Sequence, residues 1–192
     1  MSIGVLGGTF DPPHQAHCEI SLRAIDQYGL DKVLFVPSKN PWQKSVTTSY
    51  EDRFTMTSLL TENYPYFEVS DVEAVNEKQT YTVDTLKNLS IPKNDLFFIL
   101  GADIAIEIRT WSRYEELGSL TNFLIAPRDH IQKELLQKKF PFEYQLIKGE
   151  ELDISSTNIR SKLNDDIALD NIIPNSVLTY ICLLYTSPSP RD

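Results

Sequence analysis

The stretch Gly7-Gly8-Thr9-Phe10-Asp11-Pro12-Pro13-His14-Gln15-Ala16-His17 constrains this chain more than any other. It follows a short apolar run, Ile3-Gly4-Val5-Leu6, that reads as a buried strand. After it, Ile20, Ala24, Ile25 and Tyr28 fall on one helical face, and Gly29 reads as the stop. The stretch is therefore a strand-to-helix turn. Its two glycines let the backbone come close to a ligand, and two histidines three apart at a helix start share one face. Free N–H groups at a helix N-terminus suit an anion, above all a phosphate. The rest of the chain must say which phosphate compound.

Strand-like and helix-like segments alternate along the whole sequence. Val33 to Val36 is a second apolar run, closed by Pro37, and the polar segment from Ser38 to Thr48 reads as a loop. Ser49 caps a helix, with Asp52 three residues on and Phe54, Leu59 and Leu60 as its apolar positions. Phe67 to Val69 alternates like a strand, and Thr80-Tyr81-Thr82 opens a short helix through Val83, Leu86 and Leu89. Leu96 to Leu100 is apolar throughout, as a central parallel strand should be. Gly101-Ala102-Asp103 ends it, and a short helix leads to Thr110-Trp111. A strand from Asn122 to Ala126 ends at Pro127-Arg128. A helix over about 131–138, a strand near 144–147, a helix opened by Ser155-Ser156-Thr157 and a last helix over 175–184 complete the pattern. This alternation predicts an α/β fold: a Rossmann-like, doubly wound, mostly parallel sheet in a single domain with a C-terminal helical portion. Ligands of such sheets bind beyond the carboxyl ends of the strands, where Gly7–His17, Gly101–Asp103 and Arg128 all fall.

The domain is expected to span 1–184. Residues 185–192 change character to a Ser/Pro-rich end that cannot continue a helix, and read as a disordered or foreign tail. The net charge of -9 lacks the basic footprint of a nucleic-acid binder, so a polyanionic ligand must be met by a few local cations. Cys18 and Cys182 are far apart and in no metal spacing, which argues against a disulfide framework. No apolar run is long enough to span a membrane, and no signal peptide precedes the first strand, so a cytoplasmic setting is expected. A homo-oligomer is left open.

The phosphate site is of neither common kind. The chain has no G-x-x-x-x-G-K-[ST] loop and no G-x-G-x-x-G fingerprint. His14 and His17 could ligate zinc only with a third ligand, and the one other histidine, His130, has no supporting pattern. They could instead pack as helix caps. Donation to phosphate oxygens is favoured, because the glycines, the helix start and the spacing agree. A neighbouring polyphosphate would favour the charged imidazolium.

The Gly7–His17 stretch resembles the H-x-G-H signature of the nucleotidyltransferase superfamily. Ile154-Ser155-Ser156-Thr157-Asn158-Ile159-Arg160 resembles that superfamily's second motif, I-S-S-T-x-x-R. Within it, Thr80 to Leu86, Gly101-Ala102-Asp103 and Thr110-Trp111 resemble the bacterial nicotinate-nucleotide adenylyltransferases in kind and order. Two positions depart. Ala16 stands at the signature glycine, and Pro41-Trp42-Gln43-Lys44 stands where many members carry Pro-Pro-His-Lys. The resemblance implies adenylyl transfer from ATP to nicotinate mononucleotide, giving deamido-NAD and pyrophosphate, with Mg²⁺ held mainly by substrate phosphates and no metal ligand from the protein. It implies catalytic roles for His14 and His17. ATP would meet Gly8, Thr9, Phe10, His14, His17, Gly101, Asp103, Arg128, Ser155, Ser156, Thr157 and Arg160. The acceptor would meet Thr9, Lys44, Thr82, Asp103 and Trp111, with Trp111 stacked on the pyridine ring. The alternatives are the same chemistry on nicotinamide mononucleotide or phosphopantetheine, a catalytically silent nucleotide-binding module, and a zinc-binding structural module.

Overall fold

Strand β1 (Ile3–Gly8) lies at the centre of one parallel sheet, flanked by β2 (Lys32–Pro37) and β4 (Leu96–Gly101). The structure is a computed structural model that describes residues 1–41, 46, 48–75, 78–128, 131–150, 154–162 and 172–186. With β3 (Phe67–Val69), β5 (Asn122–Ala126) and β6 (Gln145–Leu146), the sheet has six strands in the order β3-β2-β1-β4-β5-β6. Every pairing is parallel. The chain winds outward from β1 in one direction and then from β4 in the other. The crevice between the C-terminal ends of β1 and β4 is therefore the topological switch point, where an open α/β sheet binds its ligand.

Helices cover both faces. They are α1 (Gln15–Tyr28), α2 (Tyr50–Thr61), α3 (Thr82–Leu89), α4 (Ala102–Ala105), α5 (Tyr114–Leu120), α6 (Lys133–Lys139), α7 (Ser156–Lys162) and α8 (Asn175–Thr186). Alternate residues of each central strand feed opposite cores, as a pleat of period two requires. Leu6, Val33, Phe35, Ile99 and Leu124 join Cys18, Ala24, Met56, Leu60, Val177 and Ile181 on one face. Val5, Leu34, Val36, Phe98, Leu100, Phe123 and Ile125 join Val83, Leu86, Ala105 and Leu117 on the other. Each fully buried Leu, Ile or Phe contributes ~1.5–3 kcal/mol over its exposed state, so strands buried on both faces read as continuous apolar runs.

The local signals act as expected at several ends. Gly29 closes α1 with φ 63 and its N–H on the Ile25 carbonyl. Ser49 caps α2, its Oγ accepting the Asp52 N–H at 3.0 Å. The cap of α3 is Tyr81, in extended backbone, so Thr82 is the first helical residue rather than the cap. The segment before Trp111 is divided into α4 and a 3₁₀ turn over Ile108–Thr110. The last helix runs to Thr186, past the expected end at 184. It reaches the approach to Pro188, before which helical backbone is disfavoured. The Tyr180 hydroxyl donates to Asp52 at 2.8 Å and ties α8 to α2. Trp42, Lys44, His130, Leu163 and residues 187–192 lie outside the described residues.

Candidate active site

His14 is the N-cap of α1, in extended backbone, and His17 stands one turn on. Their rings stack with centroids 3.8 Å apart. The His14 N–H donates to His17 Nδ1 at 3.1 Å, and the Phe10 ring meets His17 edge-on at 5.0 Å. Phe10 is 2% exposed and holds φ 51, a left-handed backbone that a bulky residue adopts only when its surroundings fix it. Gly8 lines the cavity, and a Cβ there would press on the Phe10 ring at 3.2 Å. The turn is thus shaped around Phe10, which supports His17 from beneath.

Burial lowers the His14 pKa to about 2, reinforced by His17 and Arg128. A polyphosphate bound beside the ring would act in the opposite direction, favouring its charged form. Desolvation and a neighbouring cation outweigh any anionic pull within the protein itself. The burial of His14 favours its neutral form, and its Nδ1 is buried without a hydrogen-bond partner.

The second motif docks on the first. The Ser156 hydroxyl donates to the Pro12 carbonyl at 2.9 Å, and the Arg160 guanidinium donates to the Asp11 carbonyl. The Ser155 Oγ accepts the Asn158 N–H at 3.2 Å and so acts as a helix cap. Arg160 also reaches the Thr157 hydroxyl at 3.3 Å. The two motifs, some 144 residues apart in sequence, form one continuous rim.

The other half of the crevice is built from β4 and α3. A Cβ at Gly101 would fall on the Asp103 carboxylate folded back over it, so a side chain there would displace that carboxylate. Asp103 lies 3.8 Å from Arg128 Nε, yet its Oδ1 is buried without a hydrogen bond. Trp111 is half-buried, edge-on to Phe98 at 6.2 Å, and its Nε1 is likewise buried without a partner. Buried polar groups are normally satisfied, so three such atoms around one cavity point to a ligand that satisfies them.

Sequence reading passed over the supports beneath the crevice. Arg53 of α2 is 1% exposed. It donates to the carbonyls of Thr9 at 2.7 Å, Thr48 at 3.3 Å and Lys39 at 3.3 Å. Burial pulls its pKa down, while Asp11, Tyr50 and Glu73 push it up. Buried Glu73 accepts the Lys39 N–H at 3.0 Å and the Thr85 hydroxyl at 2.6 Å. Asp11, also buried, accepts the Thr48 hydroxyl at 2.6 Å. The signal was present in the pattern: Arg53, Met56, Thr57 and Leu60 form the buried face of α2, and an arginine on such a face needs partners.

A cavity of about 590 Å³ joins these parts. It is lined by Gly8, Thr9, Phe10, His14, His17, Thr82, Gly101, Asp103, Trp111, Arg128, Ser155, Ser156, Thr157 and Arg160, which is every predicted site residue except Lys44. Ala16 lines it too, and is 1% exposed. Lys44 lies outside the described residues. Among the described residues no group of three or more His, Cys, Asp or Glu is placed to hold a metal ion, and no helix is long and apolar enough to cross a membrane.

A family model described as cytidylyltransferase-like matches residues 5–162. The chain is 38% identical over 182 residues to "Probable nicotinate-nucleotide adenylyltransferase" of Leifsonia xyli, covering 93% of this chain and 90% of that protein. It is 37% identical over 190 residues to the protein of the same name from Desulfitobacterium hafniense, covering 93% and 92%. Among solved structures, it is similar to nicotinic acid mononucleotide adenylyltransferase of Plasmodium falciparum complexed with NaAD. That match has a TM-score of 0.81 and 25% identity over 96% of both chains. The same protein complexed with APC gives a TM-score of 0.78, again at 25% identity over 96% of both chains.

Proposed function

The chain belongs to the cytidylyltransferase-like family and, within it, to the nicotinate-nucleotide adenylyltransferases, and we propose that it transfers the adenylyl group of ATP to nicotinate mononucleotide, giving deamido-NAD and pyrophosphate. The observation that carries this reading is the single crevice at the sheet's switch point. There a rim of His14, His17, Ser156 and Arg160 faces a half lined by Thr82, Asp103 and Trp111.

The reaction needs positioning and charge stabilisation, not a protein nucleophile. A phosphate oxygen of nicotinate mononucleotide attacks the α-phosphorus of ATP. The new P–O bond forms as the bond to the bridging oxygen breaks, and pyrophosphate leaves with the electron pair. His17, whose Nδ1 accepts the His14 N–H, presents its Nε2–H to the transferring phosphoryl group. His14, whose pKa burial lowers, stands beside it. Thr157 and Arg160 receive the β- and γ-phosphates. The Ser156 hydroxyl is engaged with Pro12, so its part is to hold the rim in place. Gly8, Thr9 and Phe10 set the turn against both nucleotides, and Gly101, Asp103 and Arg128 face the ATP ribose and base. Trp111 stacks on the pyridine ring, and the α3 N-terminus at Thr82 is available to the acceptor's carboxylate. Lys44 is assigned to the acceptor phosphate.

A divalent cation, Mg²⁺ in this reading, neutralises charge on the triphosphate when bound. The donor set fits a cation carried in by the substrate, because the carboxylates of Asp11 and Glu73 are buried and committed to hydroxyl and N–H donors. The test is product identification after incubation with ATP, Mg²⁺ and nicotinate mononucleotide. Formation of deamido-NAD with equal pyrophosphate supports the proposal. ATP binding with no dinucleotide formed would contradict it.

A further inference from the structure

The substrate half-sites are carried by separate segments, and something must hold them in register. We propose that Arg53 is a positioning residue for adenylyl transfer, fixing the phosphate turn and the backbone at Lys39, after β2, and at Thr48, before α2, from beneath the crevice. The proposal rests on the adenylyl-transfer reading above.

Three carbonyls from three segments converge on one buried guanidinium: Thr9 in the phosphate turn, Lys39 after β2 and Thr48 before α2. Only arginine offers donors in several directions from a single rigid plane; a lysine ammonium is a point donor on a flexible stem. The connections run on to both halves of the site. Through the Thr48 hydroxyl they reach Asp11, whose carbonyl accepts Arg160. Through Lys39 they reach Glu73 and the Thr85 hydroxyl, one turn along α3 from Thr82. Arg53 itself does not line the cavity. Its effect on the reaction therefore passes through the backbone it holds, and small displacements of such groups are costly in rate.

The experiment compares Arg53→Met, Arg53→Lys and Leu60→Ala, each checked for fold by circular dichroism and assayed well below its Tm. Leu60 is a core residue of the same helix, 2% exposed and outside the cavity, so its variant reports destabilisation alone. Both Arg53 variants are expected to lose at least ten-fold in kcat at saturating substrates, with Arg53→Lys failing to rescue. Leu60→Ala is expected to stay within two-fold of wild type despite a lower Tm. A folded Arg53 variant with kcat within two-fold of wild type would overturn the proposal, as would loss of fold in both or an equal kcat loss in Leu60→Ala. If the wild type makes no dinucleotide, the acceptor assignment fails. The Arg53 claim is then read from binding of a non-hydrolysable ATP analogue, expected to weaken at least ten-fold in both variants and overturned by unchanged binding.

Discussion

The main-chain N–H of His14 donates to Nδ1 of His17 at 3.1 Å, across two rings stacked at 3.8 Å. This bond favours one tautomer of His17. Nδ1 accepts, so the hydrogen is on Nε2. A donor held this way costs no reorganisation as charge develops on the transferring phosphoryl group, and such a donor is worth ~10²–10³ in kcat. His17→Ala should lose that much in steady-state pyrophosphate release while keeping its fold. Near-normal turnover in a folded His17→Ala protein would remove His17 from the mechanism.

His14 makes a prediction about stability and pH. Burial depresses its pKa from 6.5 to about 2. Between those values the unfolded chain binds a proton that the folded chain refuses. Stability is therefore fully present above about pH 6.5 and declines as pH falls, by up to ~1.4 kcal/mol per unit from this group. His14→Gln should flatten the fall in Tm between pH 6.5 and 5. An unchanged pH dependence would mean that His14 is not held neutral.

Trp111 should act on one substrate only. Its ring lines the crevice beside Asp103, and stacking adds ~0.5–1.5 kcal/mol beyond area burial. Trp111→Ala should raise KM for nicotinate mononucleotide roughly ten-fold, with KM for ATP within about two-fold, and Trp111→Phe should restore most of the loss. Equal effects on both substrates would argue for a packing role against Phe98.

Arg160 is exposed at the rim, yet anchored to the Asp11 carbonyl. Its guanidinium is the charged donor of the second motif, and a hydrogen bond to an ionised partner is worth ~1.5–3 kcal/mol. Arg160→Ala should reduce kcat/KM for ATP by ten-fold or more, and Arg160→Lys should recover only part, since the fork geometry is lost. Full recovery by lysine would reduce its role to net charge.

Local features of this chain were legible in sequence because they are set by neighbouring residues. Leu96 to Leu100 reads as a buried strand from its own composition, Gly29 as a cap from its own conformational freedom, and both motifs from their own spacing. The doubly wound order followed from the alternation of strands and helices. What could not be read were relationships between segments. The carbonyl of Pro12 held by Ser156, and the carbonyls of Thr9, Lys39 and Thr48 held by Arg53, are backbone groups with no side-chain signature. The lowered pKa of His14 likewise depends on burial, on His17 and on Arg128, brought together only in the folded chain. Gly8 lines the cavity, and that a Cβ there would also press on the Phe10 ring depends on a backbone turn that the sequence alone does not display.

The most direct test of the central claim is the rate of pyrophosphate release with ATP and Mg²⁺, compared between nicotinate mononucleotide and nicotinamide mononucleotide. Release with the acid and a marked preference for it are expected, because the N–H donors at the α3 N-terminus beside Thr82 suit a carboxylate and leave an amide NH₂ unmatched, at a cost of ~1–3 kcal/mol. Preference for the amide, or no release with either from protein that binds ATP, would contradict it.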